Sequence, residues 1–168
     1  MWQQTPHSWE NKQQGGSPNL RTELSLSDEW ETPNVVYDML CEVYEINCTL
    51  DVAANTQNTK CVHLLVDGLE SEWSIPELAV YDVWCNPPHS KTEQFVKKAD
   101  EQWKKHNLNI MMIVPANSIT AHYFDNIFDN NHATYHRISG RIQFLREGKL
   151  SEHPSRNGYF VVIWRKRP

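Results

Sequence analysis

Four short apolar runs, each closed by a polar or proline residue, constrain this chain more than any other feature in it. They are Cys48-Thr49-Leu50-Asp51-Val52-Ala53, His63-Leu64-Leu65-Val66, Val80-Tyr81-Asp82-Val83-Trp84-Cys85 and Asn109-Ile110-Met111-Met112-Ile113-Val114. Runs of this length read as strands, and their near-continuous apolar character suits a sheet buried on both faces. Amphipathic segments separate several of them. Val35, Val36, Met39, Leu40 and Val43 follow Thr32-Pro33 at helical spacing, which predicts a helix with Thr32 as N-cap and Pro33 in its first turn. Phe95, Val96, Ala99 and Trp103 predict a helix over 91–106, and Tyr123, Phe124, Ile127 and Phe128 predict another over 121–129. Two late runs, 134–144 and 159–164, have only a charged loop between them and predict an antiparallel edge near the C-terminus. The fold class that follows is α/β: a Rossmann-like, mostly parallel sheet with helices on both faces. Ligands of such sheets bind beyond the carboxyl ends of the strands.

The chain has 168 residues, enough for one domain with its own core. Residues 1–27, rich in Gln, Ser, Asn and Gly, read as a flexible leader, and 28–168 as the domain. No stretch resembles a signal peptide or reaches the ~20 apolar residues of a membrane span, so the expected location is the cytoplasm. Cys41, Cys48, Cys61 and Cys85 lack paired spacing and are expected as free thiols. Cys61 and His63 have no second close pair of ligands, so no metal site is expected. The net charge of −5 excludes indiscriminate coating of a polyanion. It also conceals a division: residues 134–168 carry a net +6, the remainder −11. An acidic body with one basic end fits a polyanion gripped at a single place as well as it fits a solvated edge.

Asp51, Asp67 and Asn86 each stand where a predicted strand gives out. In parallel neighbours all three would meet in one crevice, although Asp and Asn also favour turns for local reasons. Asn86-Pro87-Pro88-His89 is the sharper feature. Two successive prolines hold the backbone extended and stiff, without an N–H at either position. The Pro87 carbonyl and the Asn86 side-chain oxygen then make two rigid acceptors, matched to the two hydrogens of an exocyclic amino group.

These motifs, in this order, resemble the phage-type, Dam-like DNA N6-adenine methyltransferases. The likeness rests on Asp28-Glu29-Trp30-Glu31-Thr32-Pro33, Leu50-Asp51-Val52-Ala53-Ala54, Asn58-Thr59-Lys60-Cys61, Asp67-Gly68-Leu69 and Val83-Trp84-Cys85-Asn86-Pro87-Pro88. It continues through Val114-Pro115-Ala116 and Gly140-Arg141-Ile142-Gln143-Phe144. The resemblance implies a methyltransferase domain with S-adenosylmethionine as donor and a flipped adenine in DNA as acceptor. It implies cofactor contacts from Trp30, Thr32, Pro33, Asp51, Val52, Ala53, Asp67, Gly68, Leu69 and Asn86. It implies catalysis by Asn86, Pro87, Pro88 and His89, where the last position is usually Tyr, Phe or Trp stacked on the target base. An imidazole can stack too, over less area.

The DNA partner is expected at the basic end, through Arg137, Arg141, Arg146, Lys149 and Arg156. Arg165-Lys166-Arg167 reads as a solvated tail. Trp73, Trp84 and Trp103 are expected in the core. Two other readings stay open at this point: an N4-cytosine or other amino acceptor, and a non-catalytic module that binds cofactor or nucleic acid.

Overall fold

In the computed structural model, residues 27–54, 56–78 and 82–168 are described, so the predicted leader lies almost wholly outside the described residues. Among the described residues, eight strands and three α-helices follow in chain order. They are α1 (Asn34–Tyr44), β1 (Leu50–Asp51), β2 (His63–Leu64), β3 (Asp82–Cys85), α2 (Thr92–His106), β4 (Asn109–Pro115), α3 (Asp125–Asp129), β5 (Thr134–Arg137), β6 (Leu145–Arg146), β7 (Lys149–Leu150) and β8 (Tyr159–Trp164). Six strands form one sheet in the order β2-β1-β3-β4-β8-β5, and β6 and β7 form a separate hairpin. β2, β1, β3 and β4 are parallel, and β8 is antiparallel to both of its neighbours. The chain is thus mixed α/β with a mostly parallel sheet. The expected antiparallel edge is the β8–β5 pair, in which β8 inserts between β4 and the edge strand β5.

Strand alternation divides the core into two layers. Ile110, Met112 and Val114 of β4 join Val83, Cys85, Val162 and Trp164 on the face covered by α2 and α3, where Trp73, Phe95, Val96, Ala99 and Trp103 pack. Met111 and Ile113 join Trp84, Tyr159, Val161 and Ile163 on the opposite face, covered by Leu40 of α1 and by Ile142 and Phe144. A run apolar at every position is what two covered faces require. Trp73, Trp84 and Trp103 are all buried, as expected of packing residues.

Several boundaries differ from the sequence reading. α1 starts at Asn34 with Pro33 as its N-cap and no side-chain cap, so Thr32 stays outside the helix. Of its apolar residues only Leu40 is buried; Val35, Met39 and Val43 are exposed at 73%, 45% and 63%. The apolar run of α1 therefore wraps around the helix rather than marking one face. The 121–129 segment is a 3-10 turn at His122–Phe124 followed by the single-turn α3. β5 stops at Arg137, where the 134–144 run was expected to continue. The Ile138 N–H still donates to the Tyr159 carbonyl (2.9 Å), after which Ile142 and Phe144 leave the ladder and cover the sheet in an irregular segment.

Candidate active site

β1 and β3 lie side by side, with Leu50 opposite Val83 and Asp51 opposite Trp84, so Asp51 and Asn86 emerge along one edge of the sheet. Asp51 is only 3% exposed. Its Oδ1 accepts the Ala53 N–H (3.2 Å) and its Oδ2 the Lys60 N–H (3.0 Å). Burial outweighs those two bonds and the Lys60 charge and pushes the carboxyl up to about 6. It is ionised for the most part at neutral pH and takes up a proton as the pH falls through that value. The loop supplying Lys60 is itself anchored, since Lys60 Nζ donates to Asn34 Oδ1 at 2.8 Å.

Asn86 follows β3 directly. Its Nδ2 donates to the main-chain carbonyl of Trp30 at 2.9 Å. A carbonyl can only accept, so this bond fixes the amide orientation and leaves Oδ1 as the end available to a ligand. Pro87 is buried, the Pro88 carbonyl accepts from Lys91 N–H (2.9 Å), and the Pro87 carbonyl has no hydrogen-bond donor among the described residues. The stiff dipeptide thus presents one occupied and one open acceptor.

The strap 28–32 crosses in front of this edge. Glu31 exchanges both backbone hydrogen bonds with Leu145 (2.8 and 2.9 Å), which ties the strap to the base of the β6–β7 hairpin. The Trp30 ring stacks on Phe144 at 5.3 Å. Strap, β1 and β3 line an open cleft whose walls include Trp30, Thr32, Asp51, Ala53, Lys60 and Asn86. Thr32 Oγ1 is buried without a hydrogen-bond partner among the described residues. A buried hydroxyl left unpaired at the wall of a cleft is a ready site for a polar ligand atom.

Five of the expected cofactor residues therefore meet: Trp30, Thr32, Asp51, Ala53 and Asn86. The others stand back from the cleft. Pro33 is buried at the start of α1, and Val52 is in the core. Gly68 lies against the backbone after β1, where a Cβ would fall 1.9 Å from the Val52 carbonyl oxygen. Trp73 Nε1 holds that turn by donating to the Gly68 carbonyl at 2.7 Å. Asp67 is exposed and accepts from Ser71 Oγ (2.8 Å), and Leu69 packs on the core.

His89 is not a bare platform. Its Nε2 shares a 2.7 Å hydrogen bond with the Tyr159 hydroxyl, and its ring meets the Trp30 ring edge-on at 5.7 Å. Burial pulls its pKa below the ordinary histidine value, against the opposing pull of the Asp28 carboxylate.

The basic residues gather less closely. Arg137, Arg141, Lys149 and Arg156 are exposed, and Arg141 donates to the Ser155 and Arg156 carbonyls, closing the 141–156 loop. Arg146 pairs with Glu29 of the strap at 3.0 Å. The terminal cluster is docked rather than loose: Arg165 donates to the Tyr44 carbonyl, and the Arg167 guanidinium lies 4.9 Å from the centre of the Trp103 ring.

Residues 19–168 match the family model described as DNA N-6-adenine-methyltransferase (Dam). The chain belongs to the Dam family. Among curated proteins it is similar to the DNA N-6-adenine-methyltransferase of Escherichia phage T1, at 36% identity over 100 residues, 58% of this chain and 40% of that protein. It is also similar to the DNA N-6-adenine-methyltransferase of Haemophilus phage HP1, at 27% identity over 152 residues, 88% of this chain and 84% of that protein. The chain thus spans well under half of the T1 protein and most of the HP1 protein. The Dam match takes in the strap, the β1 and β3 edges and the hairpin. Lys60, Phe144 and Tyr159 also border this site; Lys60 and Phe144 stand in motifs of the resemblance but were given no role, and Tyr159 was not singled out. Lys60 reaches Asp51 through its backbone N–H, and Phe144 and Tyr159 resemble ordinary core aromatics, so residue type alone signals no role for them.

Proposed function

We propose that this chain transfers a methyl group from S-adenosylmethionine to the N6 amino group of adenine in DNA, with Asn86-Pro87-Pro88-His89 holding the amino group. Membership of the Dam family and the names of its phage relatives support the reaction class. The observation that carries the chemistry is the Asn86 Nδ2 bond to the Trp30 carbonyl, because it frees Oδ1 as an acceptor beside an unpaired Pro87 carbonyl. A six-stranded sheet with β8 inserted antiparallel near one end supports a Rossmann-like methyltransferase domain over 28–168.

The cleft has the chemistry to hold the cofactor. Asp51 offers a buried carboxylate to an ammonium group, Thr32 an unspent hydroxyl, and Trp30 an aromatic wall. Val52 and Gly68 shape the backbone beneath, and Asp67 and Leu69, which stand back from the cleft, are the residues proposed nearer the adenosine. When bound, S-adenosylmethionine supplies a methyl group made electrophilic by its sulfonium.

The protein's own part is to prepare the nitrogen. The lone pair of an adenine amino group is delocalised into the ring and is a poor nucleophile. Asn86 Oδ1 and the Pro87 carbonyl, each accepting one amino hydrogen, favour a pyramidal nitrogen with its lone pair available. The same two acceptors stabilise the positive charge that develops there. Both are held before the substrate arrives, Asn86 by Trp30 and Pro87 by its ring, so little reorganisation is needed. The base has to leave the helix to reach them, at a cost of a few kcal/mol.

Arg137, Arg141, Lys149 and Arg156 are the proposed phosphate contacts. The hairpin turn adds Arg146 once its pair with Glu29 opens. Glu147 and Gly148 both have positive φ (51° and 72°), the geometry of a tight two-residue hairpin turn. Such a turn makes a narrow projecting element suited to a groove. The test is to incubate the protein with labelled S-adenosylmethionine and DNA, digest the DNA to nucleosides and identify the product. N6-methyladenine is expected; N4-methylcytosine, or label in no nucleoside, would refute the reading.

A further inference from the structure

Tyr159 is 2% exposed and sits on β8, in the core layer beneath the strap. Its hydroxyl is 2.7 Å from His89 Nε2, and no other partner of that hydroxyl occurs among the described residues. A phenol so placed has one proton to donate and one visible acceptor. If Nε2 carried a hydrogen and donated instead, the buried O–H would be left unspent, at a cost of about 1–3 kcal/mol. The opposite arrangement satisfies both groups: Tyr159 donates, Nε2 accepts, and the imidazole hydrogen resides on Nδ1. Burial acts in the same direction on both, holding the phenol protonated and the imidazole neutral.

The rest of the ring's surroundings fit this arrangement. Trp30 meets the imidazole edge-on, and the Tyr159 ring lies 5.9 Å from it, so the plane of the ring is set from two sides. Nδ1 has no hydrogen-bond partner among the described residues, and the His89 side chain is only half-buried. Trp30 also holds Asn86 through its carbonyl, which places the orientation of the amide and of the imidazole under one residue.

We propose that Tyr159 is a positioning residue that fixes His89 as the Nδ1–H tautomer, so that the imidazole offers the target base an in-plane N–H donor where its relatives' motif is expected to offer a stacking ring. The matching substrate class is a base whose amino-bearing carbon has a ring nitrogen beside it, since that nitrogen accepts the Nδ1 hydrogen while Asn86 and Pro87 take the amino hydrogens. The use of the donor on a base rests on the function proposed above; the tautomer does not.

Long-range ¹H–¹⁵N correlation of the full-length protein at neutral pH reads the tautomer directly. An unprotonated Nε2 and a protonated Nδ1 are expected for His89, with a shift toward the Nε2–H form in Tyr159→Phe. That variant is expected to keep its cofactor affinity and to raise KM for DNA about tenfold, the loss of one oriented neutral hydrogen bond. An Nε2–H tautomer in the parent, or the same tautomer in both proteins, would overturn the assignment. An unchanged KM with the expected tautomer shift would overturn the donor role. Should neither protein methylate any DNA while the tautomers are as expected, the positioning by Tyr159 stands and it is the methyltransferase reading that fails.

Discussion

Two hydrogen bonds at the edge of the sheet determine what the site can do. The Trp30 carbonyl turns Asn86 so that its oxygen faces outward, and two backbone N–H groups hold the Asp51 carboxylate in a buried place. Asp51 carries a pH signature. Its carboxyl is raised to about 6 by burial, so a cationic ligand group bound there competes with a proton. S-adenosylmethionine affinity is expected to be greatest near pH 7, where carboxylate and ammonium are both charged, and to weaken below pH 6, approaching tenfold per pH unit. Calorimetric titration between pH 5 and 8 checks this, and a flat profile would remove Asp51 from the cofactor site. At this scale the sequence was legible where side-chain chemistry is distinctive, as at Asp51 and Asn86. It was silent where a backbone group acts, as at Trp30 and Lys60. His89 was visible as a departure from its family, but its partner Tyr159, 70 residues away, was not.

The elements make the residues' positions durable. The turn after β2 presses Gly68 against the Val52 carbonyl, where no Cβ fits. Gly68→Ala is therefore expected to cost about 1–3 kcal/mol, and to weaken cofactor binding by displacing the end of β1. Urea denaturation and calorimetry measure the two effects, and a stability within error of the parent would contradict the close approach. The β6–β7 hairpin is held to the strap through Glu31 and Leu145, so whatever the hairpin grips is mechanically joined to Asn86. Neutralising Arg146 and Lys149 together is expected to lower the slope of log affinity against log salt by about 1–2, one contact per charge. An unchanged slope would move the DNA site elsewhere. Helical and strand periodicity located α2, β3 and β4 well, since each has a strong buried pattern. It found α1 as a helix but not which of its apolar residues are exposed, and it ran too far at 139–144, where Ile142 and Phe144 cover the sheet without joining its ladder.

For the whole molecule, two packed layers flank the sheet, and the basic segment is built into it through β5 and β8. Trp84 is central to this, fully buried in one layer and next to the residue that precedes Asn86. Trp84→Ala is expected to destabilise the protein by about 3–5 kcal/mol and to cost activity through lost folding; a cost under about 1 kcal/mol by urea denaturation would contradict its place in the core. The overall sheet was legible because short apolar runs separated by amphipathic segments have few other solutions. The place of β8 was not, because strand order depends on which face each crossover covers, and periodicity does not encode that. The basic excess of the +6 segment is exposed in three dimensions, at Arg137, Arg141, Lys149 and Arg156. The central claim is that an amide turned outward by Trp30 prepares an adenine amino group for methylation. Its most direct test compares parent and Asn86→Ala by mass spectrometric detection of N6-methyladenine in DNA, with S-adenosylmethionine binding measured on the same samples. N6-methyladenine is expected from the parent, with a loss of at least about a hundredfold in the variant and cofactor affinity largely retained. Equal product from both proteins would contradict it.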